Sequence, residues 1–296
     1  MGIAITTLDR DVPVAKPHSL DGSGSFLSVV DSFRSAASPH LDTETRQQLG
    51  QFLTPSPVAE YMASLFARRY EELRVLDAGA GAGILSAALV QRQALGHPKP
   101  RMIAVTAYEI DAELLPYLRR TYAICADACR AAGIEFSVDI RHGDFIEEAS
   151  RLVCNDLFSS GAPTYNAAIV NPPYGKIASD SRARLLLRSV GIETGNLYTG
   201  FVALIVKLLE RNGELVAITP RSFCNGPYFQ PFREMFLQEM SLRRVHVYES
   251  RTSAFRDDDV LQENVIVHAV KSAVQPNRFH RDIPPVAFLQ HLGSQS

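Results

Sequence analysis

The chain has 296 residues, 46% of them hydrophobic and 21% charged, with 30 Lys and Arg against 32 Asp and Glu. That length carries one large α/β domain with at most a fragment of a second, and the near-neutral balance excludes a wholly basic nucleic-acid binder while allowing a local positive face. No apolar run spans a bilayer, residues 1–20 lack a basic-then-apolar signal layout, and the four cysteines form no Cys-x-x-Cys pair, so a cytoplasmic protein with reduced thiols is expected.

Residues 1–40 read as a polar leader around Gly22-Ser23-Gly24 followed by a short amphipathic helix at 26–35, and a second short helix is predicted at 41–49. Pro55 and Pro57, interleaved with the capping residues Thr54 and Ser56, signal a helix start. Val58, Tyr61, Met62, Leu65 and Phe66 recur at helical spacing, which predicts a helix over 58–69. Strands are predicted at 74–77, 102–108, 135–140, 166–170 and 214–219, with helices at 84–92, 112–132 and 198–211. Two further strands, 245–249 and 264–270, are expected as antiparallel neighbours at one edge. Repeated strand–helix alternation predicts a doubly wound, mostly parallel sheet with helices on both faces, whose ligands sit at the carboxyl ends of the strands. Cys125 and Cys129 lie four apart on a predicted helix, but no His or Cys pair nearby completes a zinc site, so no metal is expected.

Four polar motifs fall at strand ends. Asp77-Ala78-Gly79-Ala80-Gly81-Ala82-Gly83 closes the first strand. Its glycines let backbone approach a ligand closely, as tight turns also do. A carboxylate at a helix N-terminus repels phosphate but can hold an amine, and no Lys-Ser or Lys-Thr pair completes a phosphate cradle. Glu109 ends the second strand, where an acid can accept both ribose hydroxyls. Asp144 ends the third and can accept from the exocyclic amine of an adenine ring, with Ile110 and Phe145 on either side of that ring. Together these acids describe a site for S-adenosylmethionine, whose sulfonium is cationic.

The fourth motif, Asn171-Pro172-Pro173-Tyr174, ends the strand at 166–170. Its two prolines remove backbone donors and block continuation of the strand or entry into a helix. The Asn171 amide and the Pro172 carbonyl could then accept two hydrogen bonds from a planar amine beside an aromatic ring. A plain strand-ending turn is the alternative. Downstream, Lys176, Arg182, Arg184 and Arg188 form either a phosphate-tracking face or a solvated helix surface.

With these residues in order, the sequence resembles the gamma class of N6-adenine DNA methyltransferases, similar to modification methylases of the PstI and BsuBI type. The resemblance rests on Gln51-Phe52-Leu53-Thr54-Pro55 ahead of the glycine loop, Glu109-Ile110-Asp111, Gly143-Asp144-Phe145 and Asn171-Pro172-Pro173-Tyr174. It implies a Rossmann-like class I methyltransferase domain with a seven-stranded sheet over 41–270. It also implies methionine-end contacts from Gln51, Thr54 and Pro55, and base stacking by Tyr174 and Phe255 on an adenine flipped from double-stranded DNA. A cognate restriction endonuclease is a further implied partner. Residues 271–296, with Arg278, His280 and Arg281, are expected to begin a target-recognition domain that is otherwise absent, so that target choice comes from a separate domain or subunit. Protein glutamine and rRNA N-methyltransferases share parts of the pattern, and a non-catalytic subunit of a methylase complex is the reading from another class.

Overall fold

The computed structural model describes residues 25–37, 53–156, 164–247 and 264–272. Gln51, Phe255, the helix expected at 41–49 and most of the tail lie outside the described residues.

Helix α1, Leu27–Ala37, buries Leu27 and Val30. Helix α2, Ser56–Ser64, starts where the prolines predict, with extended Pro55 as its N-cap. It stops short of residue 69 because the Ala67 and Arg68 amides leave the helical ladder and donate to the carboxylate of Glu214, at 3.2 and 3.0 Å.

Strand β1, Glu72–Ala78, leads through the glycine loop into α3, Ile84–Leu95. Strand β2, Met102–Glu109, is followed by a 3-10 turn and α4, Leu115–Ala132. Strand β3, Glu135–His142, precedes α5, Phe145–Asp156. Strand β4, Tyr165–Val170, is followed by α6, Arg182–Ser189, and α7, Leu197–Leu208. The last units are β5, Leu209–Pro220, α8, Gln230–Glu239, β6, Met240–Val247, and β7, Asn264–Lys271.

The sheet order is β3-β2-β1-β4-β5-β7-β6, parallel except for β7, which runs antiparallel to both neighbours. The seven-stranded, mostly parallel expectation is met. Successive strand side chains face opposite sides, and the sheet sorts them into two cores. Val75, Val105, Ala167, Ile169 and Ile218 join α1 to α4 on one face. Leu76, Ala168, Val170, Ala217 and Val267 join α5, α7 and α8 on the other. Because both faces are covered, β4 is buried at every position.

Helices α5 and α8 go beyond the expected elements, and α6 is the helix whose surface carries Arg182, Arg184 and Arg188. Helix α7 ends at Leu208, three residues early, because the chain turns at once into β5 and Asn212 takes a left-handed φ of 63°. The order reverses between β1 and β4, so the carboxyl ends of these two strands flank the crevice where such folds take ligands. The glycine loop and Asn171-Pro172-Pro173-Tyr174 leave from those two ends.

Candidate active site

The glycine loop is tied down by its neighbouring strand. Gly79 and Ala80 both donate to the Tyr108 carbonyl, at 3.0 and 2.9 Å. The Gly81 amide donates to Glu109 Oε2 at 2.7 Å, and Asp111 donates to Oε1 at 2.8 Å. Left-handed backbone at Gly79, Gly81 and Gly83, with φ of 77°, 59° and 83°, makes this path possible. At Gly83 the need is also spatial, since a Cβ would stand 2.8 Å from Leu118 Cδ1. This third glycine lets α3 and α4 approach. Glu109 is thus a buried carboxylate at the mouth of the loop, pushed up by burial and drawn back by the Asp111 and Gly81 amides.

Asp77 is fully buried, and neither carboxylate oxygen has a hydrogen-bond partner. Burial lifts its pKa from 3.8 to about 7; the nearby Ser86 hydroxyl and amide offset part of the rise from outside hydrogen-bonding geometry. Ser86 is itself buried and engaged elsewhere, 2.8 Å from the Tyr122 hydroxyl and 3.3 Å from the Gly83 carbonyl. An orphaned buried carboxylate costs free energy unless a donor arrives. A cationic ligand would supply one, and the acceptor set here, the Asp77 and Glu109 carboxylates, suits an ammonium end and a ribose better than a pyrophosphate. Ser86 escaped the sequence reading; its only signal is a hydroxyl among apolar residues in the first turn of α3.

On the other side of the crevice, Asn171 leaves β4 with its Nδ2 donating to the buried Thr54 hydroxyl at 3.1 Å. This bond brings the Thr54-Pro55 segment, 117 residues away in sequence, onto the Asn171 amide. Pro172 is buried. The two loops are neighbours: a Cβ at Gly79 would meet Pro173 Cδ at 3.8 Å and the Asn171 carbonyl at 4.0 Å. Tyr174 donates its hydroxyl to the Ile218 carbonyl at 3.4 Å and meets Tyr198 edge-on at 6.3 Å. The following residues are laced to a second segment, with Ile177 N–H on the Gly195 carbonyl at 2.7 Å and Leu197 N–H on the Gly175 carbonyl at 2.8 Å.

The remaining expected residues are placed unevenly. Asp144 is exposed at the end of β3, and its Oδ1 accepts from the Ile146 amide at 2.8 Å. Ile110 is exposed beside it. The Phe145 ring departs from the expectation: it points into the core, against Tyr108 at 5.1 Å and Phe201 at 4.9 Å, because it opens the apolar stripe of α5. The basic cluster lies largely on α6, but its arginines are engaged. Arg182 pairs with Glu147 at 2.7 Å, Arg188 with Glu193 at 2.9 Å, and Arg184 with Glu193 as well. Lys176 is exposed. Among the described residues no cluster of His, Cys, Asp and Glu could hold a metal ion, and no helix is long and apolar enough to cross a membrane.

Comparison with known proteins bears on the family and the fold. Residues 135–255 match the family model of the Eco57I restriction-modification methylase. The chain is 48% identical over 255 residues to the type II methyltransferase M.PstI of Providencia stuartii, covering 85% of this chain and 48% of that protein. It is 44% identical over 256 residues to M.BsuBI of Bacillus subtilis, covering 84% of this chain and 49% of the relative. The chain therefore spans about half the length of these curated relatives. Its fold matches a Listeria monocytogenes protein assigned to the class I S-adenosylmethionine-dependent methyltransferases, with a TM-score of 0.57 at 12% identity, over 84% of this chain and 71% of that one. It also matches a type I restriction-modification methyltransferase subunit from Streptococcus thermophilus, with a TM-score of 0.58 at 17% identity, over 86% and 51%. The chain carries the class I methyltransferase fold and is similar in sequence to restriction-modification methylases of the M.PstI and M.BsuBI kind.

Proposed function

We propose that this chain transfers a methyl group from S-adenosylmethionine to N6 of adenine in DNA, as the modification enzyme of a restriction-modification system with a cognate endonuclease. The observation that carries the proposal is the Asn171 amide. It is clamped by Thr54 at 3.1 Å and sits one loop away from the orphaned Asp77 carboxylate.

The donor supplies an electrophilic methyl on a sulfonium. Asp77 would hold its ammonium, Glu109 its ribose hydroxyls and Asp144 its adenine amine, with Thr54 and Pro55 against the methionine end. On the acceptor side, the exocyclic nitrogen of adenine is a poor nucleophile because its lone pair is delocalised into the ring. Donation from Nδ2 to Thr54 fixes the rotation of the Asn171 amide and makes Oδ1 the end that accepts from the substrate amine. A second bond to the Pro172 carbonyl would draw the nitrogen toward tetrahedral geometry and direct its lone pair at the methyl group. No strong base is needed, since alignment and oriented acceptors supply much of the rate. Tyr174, held by Ile218 and Tyr198, would cover the base after it leaves the duplex.

The test is transfer of labelled methyl to adenine-containing duplex DNA, with ribosomal RNA and a glutamine-bearing protein as competing acceptors. Label on N6 of adenine in DNA is expected. Asn171→Ala should remove transfer while leaving S-adenosylhomocysteine affinity within a few-fold, and an Asn171→Ala protein with near-normal turnover would refute the mechanism.

A further inference from the structure

Tyr228 is 62% exposed, yet it is not loose. Its ring meets Phe229 edge-on at 5.2 Å, and its hydroxyl lies over Gly195 so closely that a Cβ there would overlap it. The platform beneath is stapled from inside. The buried Arg233 guanidinium donates to the Phe223 carbonyl at 2.9 Å and the Gly226 carbonyl at 2.6 Å, and the Gly226 amide donates to the Ser222 carbonyl at 3.2 Å. A ring packed against its neighbour, with its hydroxyl close over the Gly195 backbone and a braced turn beneath it, has less conformational entropy to lose on binding than a free side chain. A singly exposed aromatic is ordinary on a protein surface; one fixed in this way is less so.

Its position is also informative. The turn follows the carboxyl end of β5, on the same rim as the active-site loops. Ring contacts run from Tyr228 to Phe229, from Phe229 to Tyr198 at 5.8 Å, and from Tyr198 to Tyr174 at 6.3 Å. Gly195, under the hydroxyl, is bonded to Ile177 in the segment that follows Tyr174. The Arg184 guanidinium also reaches Gly195, within 3.3 Å of where its Cβ would be. That cation is already paired with Glu193, so what the surface offers is a flat ring, one aromatic chain away from the acceptor site, which matches the face of a base.

We infer that Tyr228 is a nucleobase-stacking residue that takes a second base, unstacked from the DNA along with the target adenine; this rests on the DNA-methylation reading above. It is a contact distinct from that of Tyr174, which covers the reacting base.

The chain contains no tryptophan, so Tyr228→Trp provides a spectroscopic reporter with no background. Emission of that variant should be quenched on titration with a mixed-sequence single-stranded oligonucleotide and unchanged by the same backbone lacking bases. Tyr228→Ala should weaken oligonucleotide binding roughly tenfold or more, the range typical of one lost base–aromatic stack, while Tyr228→Phe stays near wild type. S-adenosylhomocysteine affinity, measured in parallel, should be equal in all four proteins. Wild-type oligonucleotide affinity in Tyr228→Ala, or an unquenched Tyr228→Trp, overturns the inference even when the cofactor binds. Loss of cofactor binding or methyl transfer in the wild-type protein would instead overturn the functional reading.

Discussion

Replacing Asp77 by asparagine should stabilise the ligand-free protein and damage cofactor binding. Asp77 has no exposure and no hydrogen-bond partner, and its carboxyl titrates near 7 instead of 3.8. The folded state therefore binds the proton more tightly than the unfolded chain does. Stability is unaffected by this group below about pH 4, falls as pH rises toward 7, and then levels off. At 1.4 kcal/mol for each tenfold change in acidity, raising the carboxyl from 3.8 to about 7 corresponds to on the order of 4 kcal/mol withheld above pH 7. Part of that gain is offset in the variant by its own buried amide, so about half is a reasonable expectation. Thermal melts of the two ligand-free proteins at pH 5 and pH 8 should show the wild type losing several degrees between the two conditions and Asp77→Asn losing less. Calorimetry with S-adenosylhomocysteine should show at least about tenfold weaker binding to Asp77→Asn, since a buried ion pair would be broken. In the wild type, binding near pH 6 should release a proton as Asp77 ionises against the ammonium. A variant that melts no higher than wild type at pH 8 would refute the account of Asp77 as strained, and unchanged affinity would refute its role at the ammonium.

Other sites make independent tests. Glu214 is 1% exposed; burial pushes its carboxyl up, but His268, Tyr70 and the Ala67 and Arg68 amides overcome that and leave it below its ordinary 4.5. Its contribution is complete above about pH 4.5 and is lost as pH falls, and Glu214→Ala should cost about 3–5 kcal/mol at pH 7 by chemical denaturation, since its donors lose their acceptor inside the fold. Gly83→Ala forces a side chain into left-handed backbone 2.8 Å from Leu118 and should cost about 1–3 kcal/mol, read as a lower melting temperature. Glu193→Gln, which releases Arg184 and Arg188, should tighten oligonucleotide binding and steepen its salt dependence; unchanged salt dependence would remove α6 from the phosphate-binding face.

What was legible in the sequence was local or periodic. Apolar runs such as 166–170 and 264–270 are strands because both sheet faces are covered, and the Gly and Asn-Pro-Pro-Tyr punctuation falls where the chain leaves the sheet. Helix α6 is legible only as one of two readings of its arginines, because its apolar stripe is narrow, with Leu187 as its buried residue, among charged neighbours. Helix α8 carries Pro231 in its first turn, where proline is tolerated, and follows Gly226-Pro227, so its start has the local signals of a turn. Phe145 was expected beside a ligand because it follows Asp144, but the register of α5 turns it inward. The partners of Arg182, Arg184 and Arg188 depend on tertiary proximity to Glu147 and on a turn back to Glu193, which spacing alone does not reveal. The Glu214–His268–Tyr70 bonds join β5 to β7 and to the segment after α2. The only hints were an acid opening the apolar run at 214–219 and a histidine inside the one at 264–270.

The two sides of the crevice are prepared differently, and this bears on the order of events. On the donor side the protein leaves acids without cationic partners: Asp77 is orphaned and keeps its proton up to about pH 7, and Glu109 is buried with backbone amides as its partners. On the acceptor side positive charge is already engaged by Glu147 and Glu193. A cationic donor would have only the Asp77 proton to displace, whereas a phosphate must exchange with an existing carboxylate to reach Arg182 or Arg188. Exposed ion pairs of this kind are worth little, so the exchange is not prohibitive, but it yields little net attraction. Cofactor affinity should therefore depend on pH through Asp77 and only weakly on salt. DNA affinity should rest more on stacking at Tyr174 and Tyr228 than on the α6 arginines, and Glu193 sets how far that balance can be shifted.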